Sequence, residues 1–485
     1  MIAIAKQFRV FRVRSQTKRL GDVIPAPALV VPEPAVTFTI TPVTTVSAPP
    51  AAAAVAAHLG PLADDGPIRL ELTDTDGLGA EGYRLAITAT GVSLRAAEPA
   101  GLFWGVQTLR QLAADDGVLP GGVIEDRPRF AYRGAMLDLA RHFFTADEIR
   151  AHLDLLVQFK INHLHLHLTD DQGWRLEIPG WPRLTEVGGG PGTGCDGTGP
   201  GFLTLAEYAD VVAYAAERFV TVIPEIDMPG HVNAALVAYP ELTADGRPVA
   251  PRTDAEVGYS SLVAGKDETY AFVETVLKTV ADVTPGPFLH IGGDECLSTS
   301  AEDYHAFLSR ALPLAGKYGK RAIGWHEIAA TDLPEGTVVQ YWRPEPEDAQ
   351  VLAAVAAGHQ VIMSPADRTY LDMKYAADTP LGLDWAGLVP VRRSYEWDPA
   401  TRLAGVGEQA LLGVAAPLWS ETLRTVADVQ YLTFPRLPAV AEVGWTPQAG
   451  RDWAAFRERL AAFGPRWDAA GVNYHRSPEI DWPSA

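Results

Sequence analysis

Residues Pro287 to Glu295 read "PFLHIGGDE": a short apolar run, two glycines, then an aspartate and a glutamate side by side. A brief apolar run bounded by turn residues fits a strand buried on both faces. Neighbours on a strand point to opposite faces, so adjacent acids make an awkward acid–nucleophile pair. Gly292 and Gly293 loosen the strand's end, and Asp294 and Glu295 need not obey its alternation.

The same texture recurs on both sides. Upstream stand "GAMLDLAR" (134–141), "INHLHLHLTDD" (161–171) and "VTVIPEIDMPGH" (220–231). Downstream follow "RAIGWHE" (321–327), "TVVQYW" (337–342), "QVIMS" (360–364) and "LLGVAAPLWSE" (411–421). Amphipathic helical patterns intervene near 146–159, 204–217, 268–282, 302–317, 347–357 and 427–441. Eight strand-like runs with helices between them predict an α/β fold, a (β/α)8 TIM barrel over 131–485. The C-terminal ends of barrel strands share one rim, where the chemistry sits.

Before the barrel, 35–130 reads as a small α/β accessory domain. "VTFTI", "IRLEL", "YRLAIT" and "VSLRAA" alternate as strands do, and Leu102, Val106, Leu109 and Leu112 share a helical face. Residues 1–34 are basic and then proline-rich, and predict a flexible segment. Asp22, Pro25, Pro27, Pro32 and Glu33 break up their apolar part, so no signal peptide is visible. No run approaches the roughly 20 apolar residues of a membrane span.

Of 485 residues, 47% are hydrophobic and 21% charged, an ordinary globular balance. The formal charge of −20 argues against nucleic acid or an anionic membrane as partner and favours a neutral or cationic small molecule. The two cysteines, Cys195 and Cys296, are too few for a disulfide framework and read as free thiols.

Following each run to its end assembles the rim: Asp138 and Arg141, Asp170 and Asp171, Glu225, Asp227 and His231, then Asp294 and Glu295. Trp325 and Glu327, Trp342, Tyr370 and Asp372, and Trp419 and Glu421 complete it. Aromatic faces cover the C–H surfaces of a pyranose while acids and arginine bind its hydroxyls, so the set describes a sugar pocket. The plainer alternative has tryptophans packing the barrel mouth and acids solvating it. A second alternative rests on His163, His165 and His167, which share a strand face and could begin a metal site with His231, His290 or His326. Inward histidines of a barrel strand can equally be hydrogen-bonded residues of the core.

At these stretches the chain resembles the family 20 glycoside hydrolases, the β-N-acetylhexosaminidases, and most of all their bacterial exo-acting members. "RGAMLDLARHFF", "LHLTDDQGWRLEI", "VIPEIDMPGH", "LHIGGDE", "GWHE", "QYW", "TYLDMKY" and "APLWSETL" occur in the family's order between 133 and about 445. The resemblance implies substrate-assisted hydrolysis, in which the sugar's 2-acetamido oxygen attacks its own anomeric carbon and no protein nucleophile is needed. It implies Glu295 as general acid and base, Asp294 as acceptor of the acetamido N–H, and Tyr370 as donor to the acetamido oxygen. Trp325, Trp342 and Trp419 become walls of the pocket, and Trp385 stacks on the leaving group. Arg141, Glu421 and Asp372 hold the sugar hydroxyls at the closed end, and Asp170 and His231 support Glu295. No metal or cofactor is implied, and the partner is an N-acetylhexosamine-terminated oligosaccharide. On this reading the basic N-terminus and the glycine-rich "GGGPGTGCDGTGPG" (188–201) stand apart from the chemistry.

Overall fold

The computed structural model describes residues 18–483 apart from 76 and 115, and its strands fall into one open sheet and one closed barrel. The sheet holds β1 (Leu29–Thr39), β2 (Val46–Ser47), β3 (Ile68–Leu72), β4 (Tyr83–Thr88), β5 (Gly91–Ala96) and β6 (Val118–Asp126), in the order β1-β6-β4-β5-β3-β2. Buried and more exposed residues alternate along β4 and β5, which therefore cover a core with one face. Helix Pro99–Ala113 supplies that core, burying Leu102, Val106, Leu109 and Leu112. β6 has no counterpart in the sequence reading, because Pro120, Gly121 and Gly122 interrupt its apolar pattern.

The expected flexible segment is corrected where the structure describes it; residues 1–17 lie outside the described residues. Leu20, Val23 and Ile24 are buried, and the Gln111 side chain bonds both the N–H and the carbonyl of Ile24. β1 then pairs antiparallel with β6 along the edge of the sheet. Proline content suggested a linker, but an edge strand tolerates proline because one side of it has no ladder to join.

The barrel is built from β7 (Tyr132–Asp138), β8 (His163–His167), β9 (Thr221–Glu225), β10 (Phe288–His290), β11 (Arg321–Trp325), β12 (Val338–Tyr341), β13 (Gln360–Met363) and β14 (Leu411–Ala416). All eight runs expected from the sequence are present, parallel and closed by β14 on β7. Side chains fill the interior in layers. Tyr132, Ile223, Phe288, Ile323, Val338, Ile362 and Ala415 form one apolar layer. Register carries the polar positions upward together: Asp138 pairs with His167, His167 with Glu225, and His290 with Glu225. Two helices, Val426–Thr433 and Arg436–Trp445, replace the single one expected near 427–441, because Pro435 has no N–H to continue the first.

Buried ion pairs fasten the sheet to the barrel. Lys160 Nζ lies 2.8 Å from Asp126 Oδ2, and Asp126 also accepts from Tyr83 and from Trp445 of the last barrel helix. Arg133 of β7 pairs with Glu81 at 2.7 Å. Among the described residues no helix is long and apolar enough to cross a membrane.

Candidate active site

β10 ends after three residues, and the chain beyond it leaves strand geometry at once. Gly292 and Gly293 take φ of 71° and 95°, which glycine adopts without penalty. A Cβ on Gly292 would lie 1.7 Å from Asp227 Oδ1, so only glycine lets the two segments meet. The Gly293 N–H then donates to Asp227 Oδ1 at 3.1 Å. Two residues later Glu295 itself holds φ of 46°. The turn gives the adjacent acids different environments: the Asp294 side chain keeps 11% of its surface exposed, whereas that of Glu295 keeps 35%.

Burial pushes the Asp294 carboxyl up to about 7, with Glu327 and Glu295 adding to the effect and His231 opposing it. Asp227, buried beside Asp294, is held well above the carboxylate range by burial and by that neighbour. Asp294 Oδ1 is buried without a hydrogen-bond partner among the described residues, as is Asp372 Oδ2. Buried carboxylate oxygens are normally satisfied, so these two mark places where a ligand's N–H or O–H would sit.

His231 faces both acids, its Nε2 3.7 Å from Asp294 and 3.6 Å from Glu295. Its Nδ1 lies 3.1 Å from Asp170 Oδ1. Burial opposes the charged imidazole, but Asp170 and Asp294 outweigh it and hold the group well above its usual range. Asp170 Oδ2 in turn meets Arg141 Nη2 at 2.8 Å. Arg141 is 4% exposed, bonds Asp138 and Gln172, and lays its guanidinium 4.8 Å from the Trp419 ring centre. Glu421 is raised by burial, with Arg141 opposing, and Asp372 is raised by burial and by Glu421. The sequence-predicted closed end is therefore one electrostatic unit of Arg141, Asp372 and Glu421.

The aromatic residues converge as well. Trp325, Tyr370 and Trp419 belong to one buried cluster, and Trp342 packs against it. The Trp325 and Trp419 ring centres are 5.8 Å apart. Trp385, 51% exposed, meets Trp342 and Tyr370 edge-on, both at 5.8 Å. Hydrogen bonds fix two indoles: Trp325 Nε1 donates to Glu225 at 2.8 Å and Trp342 Nε1 to Glu327 at 3.2 Å. Burial, Asp372 and Asp294 push the Tyr370 hydroxyl well above its ordinary value, so it stays a donor. All twelve predicted positions thus meet at the strand ends, and packing accounts for part of the tryptophans' role there.

The three histidines of β8 do not converge on one point. They sit two residues apart, about 7 Å per step along a strand. His163 stacks on Tyr132 and bonds Asn162, and burial lowers it to about 3. His165 stacks on His290, with burial lowering it to about 4. His165, Glu225 and His290 bring ligand-type atoms within 4.8 Å of one another. His165 Nε2 and His290 Nδ1 lie 2.8 and 3.0 Å from the Glu225 oxygens, so the group is an acid–imidazole cluster in its own right.

The glycine-rich 188–201 segment packs against the backbone beside the site: the Cys195 N–H donates to the Arg141 carbonyl at 2.8 Å, and the Gly194 N–H to the Gln172 carbonyl at 2.7 Å. A Cβ on Gly194 would lie 2.9 Å from the Arg141 carbonyl, so the loop braces Arg141 by close backbone approach. Cys195 and Cys296 are both free thiols, as expected, and burial raises both. Gln172, which aligns Arg141, was missed; its place directly after the paired acids of "TDDQGW" is the one signal it offered.

Comparison with known proteins bears on the whole chain. Residues 130–448 match the family described as "Glycosyl hydrolase family 20, catalytic domain", and 21–127 match "Glycosyl hydrolase family 20, domain 2". A beta-N-acetylhexosaminidase of Cellulomonas fimi is 44% identical over 426 residues, covering 86% of this chain and 84% of that protein. A mutant Streptomyces plicatus beta-hexosaminidase solved with its product GlcNAc superposes with a TM-score of 0.92 at 46% identity, over 97% of this chain and all of that one. An exo beta-N-acetylglucosaminidase of Vibrio harveyi, solved with N-acetylglucosamine, gives 0.84 at 29% identity, over 96% of this chain and 80% of its own.

Proposed function

The chain belongs to family 20 of the glycosyl hydrolases, and from that premise we propose how its residues release terminal, non-reducing β-linked N-acetylhexosamines. The observation that carries the reading is the division between Asp294 and Glu295. One is buried with an unpartnered oxygen beside an aromatic box, and the other is adjacent but reaches solvent. Two carboxyl groups in environments this different hold different roles.

In the first step the acetamido oxygen attacks the anomeric carbon as the glycosidic C–O bond breaks, and Glu295 gives its proton to the departing oxygen. The products are an oxazolinium ion and a free alcohol. Asp294 accepts the acetamido N–H and stabilises the positive charge that develops, and the Tyr370 hydroxyl donates to the attacking oxygen. Trp325, Trp342 and Trp419 enclose the acetamido methyl and the sugar face. Holding the group in line in this way replaces a bimolecular encounter with a positioned one. In the second step Glu295 takes a proton from water, which attacks the same carbon from the side the alcohol left. The stereochemistry is retained and the acid is restored. Arg141, Asp372 and Glu421 bind the ring hydroxyls, and Trp385 supports the leaving group.

Hydrolysis of p-nitrophenyl N-acetylglucosaminide, N-acetylgalactosaminide and glucoside side by side tests the reading. Cleavage of the N-acetyl sugars alone is expected. A glucoside cleaved as fast would overturn it.

A further inference from the structure

His167, at the end of β8, takes no part in the scheme above, yet both of its nitrogens point at carboxylates. Nδ1 lies 2.6 Å from Glu225 Oε2 and Nε2 lies 2.7 Å from Asp170 Oδ2, and the ring is fully buried. A carboxylate only accepts, so each nitrogen must carry a hydrogen. The geometry points to His167 as a permanently protonated positioning residue, a buried imidazolium that ties the anchor of the acetamido wall to the anchor of the acid–base machinery. The inference rests on the functional reading above for what the two anchors do.

On one side, Glu225 accepts from Trp325 Nε1 at 2.8 Å and so fixes the indole against Trp419. On the other, Asp170 holds Arg141 at 2.8 Å and His231 at 3.1 Å. One ring therefore sets the separation between a wall of the pocket and the two cations at its closed end and beside Glu295. Its charged surroundings are carboxylates and the cations those carboxylates hold. Asp170 and Asp227 bring oxygens close to its ring beside Glu225, and Asp138 lies next to it in register on β7. Arg141 and His231 meet Asp170, and His165 and His290 meet Glu225. Trp419 closes the last side, edge-on at 4.8 Å. Burial opposes the charge, but Glu225 and Asp170 raise the group to about 10, so it does not titrate where the enzyme works. His163 and His165, on the same strand but without two carboxylates, are lowered instead. Three histidines alike in sequence thus divide into two neutral core residues and one fixed cation.

A fixed cation leaves a signature that packing alone does not. Removing it makes every neighbouring carboxylate harder to ionise and every neighbouring imidazole easier to protonate, so all their titrations move the same way, to higher pH. A unit charge acting over about 8 Å in an effective dielectric of about 20–40 shifts such groups by about one pH unit.

The test measures kcat/KM against pH on methyl β-N-acetylglucosaminide, whose poor leaving group keeps the alkaline limb dependent on Glu295, for the full chain, His167→Gln and His163→Gln. In His167→Gln both limbs of the profile should move up by about one unit, with kcat/KM at the optimum reduced about tenfold or more. His163→Gln should lower Tm and leave both limbs in place. A folded His167→Gln whose limbs do not move overturns the inference. A readout free of substrate and of folding defects is the 15N spectrum of the wild-type histidines. His167 should remain an imidazolium between about pH 5 and about 8, where a free imidazole loses its proton. A His167 that titrates there overturns the proposal, whether or not the functional reading survives the glycoside assay.

Discussion

The His231 ring lies 3.6 Å from the Glu295 carboxylate, and both residues hold left-handed backbone conformations, φ 56° and 46°. Such a conformation costs a non-glycine residue about 1–3 kcal/mol and persists where the surroundings enforce it. Here Asp227 and the glycines before Asp294 supply the enforcement on one side, and Asp170 supplies it on the other. The strain places an acid at the rim whose partner is a buried cation. The pairing suits a group that must shed a proton in one step and regain it in the next.

Glu295→Gln keeps the shape of the side chain and removes the proton. Turnover of an alkyl or oligosaccharide N-acetylglucosaminide should fall by about 10²–10⁴-fold, the usual value of acid–base assistance. A p-nitrophenyl leaving group needs little protonation, so its bond cleavage should suffer much less. Equal losses on both substrates would argue against the acid role.

The role proposed for Asp294 requires the anion, and in the free enzyme burial raises its carboxyl to about 7. The profile of kcat/KM should therefore fall as pH drops below about 7, because the free enzyme is losing the required carboxylate. An acetamido N–H bonded to that carboxylate favours its charged form. The acid limb of kcat, which reports the bound state, should then lie at lower pH than that of kcat/KM. Coincident limbs would contradict the assignment.

The barrel was legible because its strands are short and apolar and most end in polar or aromatic residues, as "PFLHIGGDE" and "LLGVAAPLWSE" illustrate. The twelve positions proposed for the site were named from family motifs, and the strand-like runs alone had singled out most of them. What escaped was whatever depends on backbone approach or on mutual environment. Nothing in "GGGPGTGCDGTGPG" announces that Cys195 will donate to the Arg141 carbonyl. The histidines of "HLHLH" share one pattern, and only the carboxylates contributed by other strands separate His167 from His163. The prolines near the N-terminus suggested a linker because an edge strand carries no sequence signal of being an edge.

Lys160 holds Asp126 across the junction of sheet and barrel, both nearly inaccessible. Lys160→Met leaves that carboxylate without its cation and should destabilise the fold by about 3–5 kcal/mol, the usual cost of breaking a buried pair. Denaturant melts should record the loss while kcat at low temperature stays near the wild-type value. An unchanged midpoint would show the pair to be dispensable.

His152 lies buried in helix Ala146–Leu156 with its Nδ1 unpartnered among the described residues, and burial lowers it from 6.5 to about 4. The folded state thus prefers the neutral ring. Its contribution is complete above pH 6.5 and is lost as pH falls through about 4, a difference of about 3 kcal/mol. His152→Leu should flatten the stability curve across that window. A variant as acid-sensitive as the wild type would place the effect elsewhere.

Neighbouring-group attack by the acetamido oxygen is tested most directly by weakening that oxygen. The rate of cleavage should be followed across p-nitrophenyl glucosaminides whose N-acyl group carries none, one, two or three fluorines. If the oxygen is the nucleophile, kcat/KM falls steeply and monotonically along the series. A flat series, with the acyl group merely bound, would mean that the protein supplies the attacking atom.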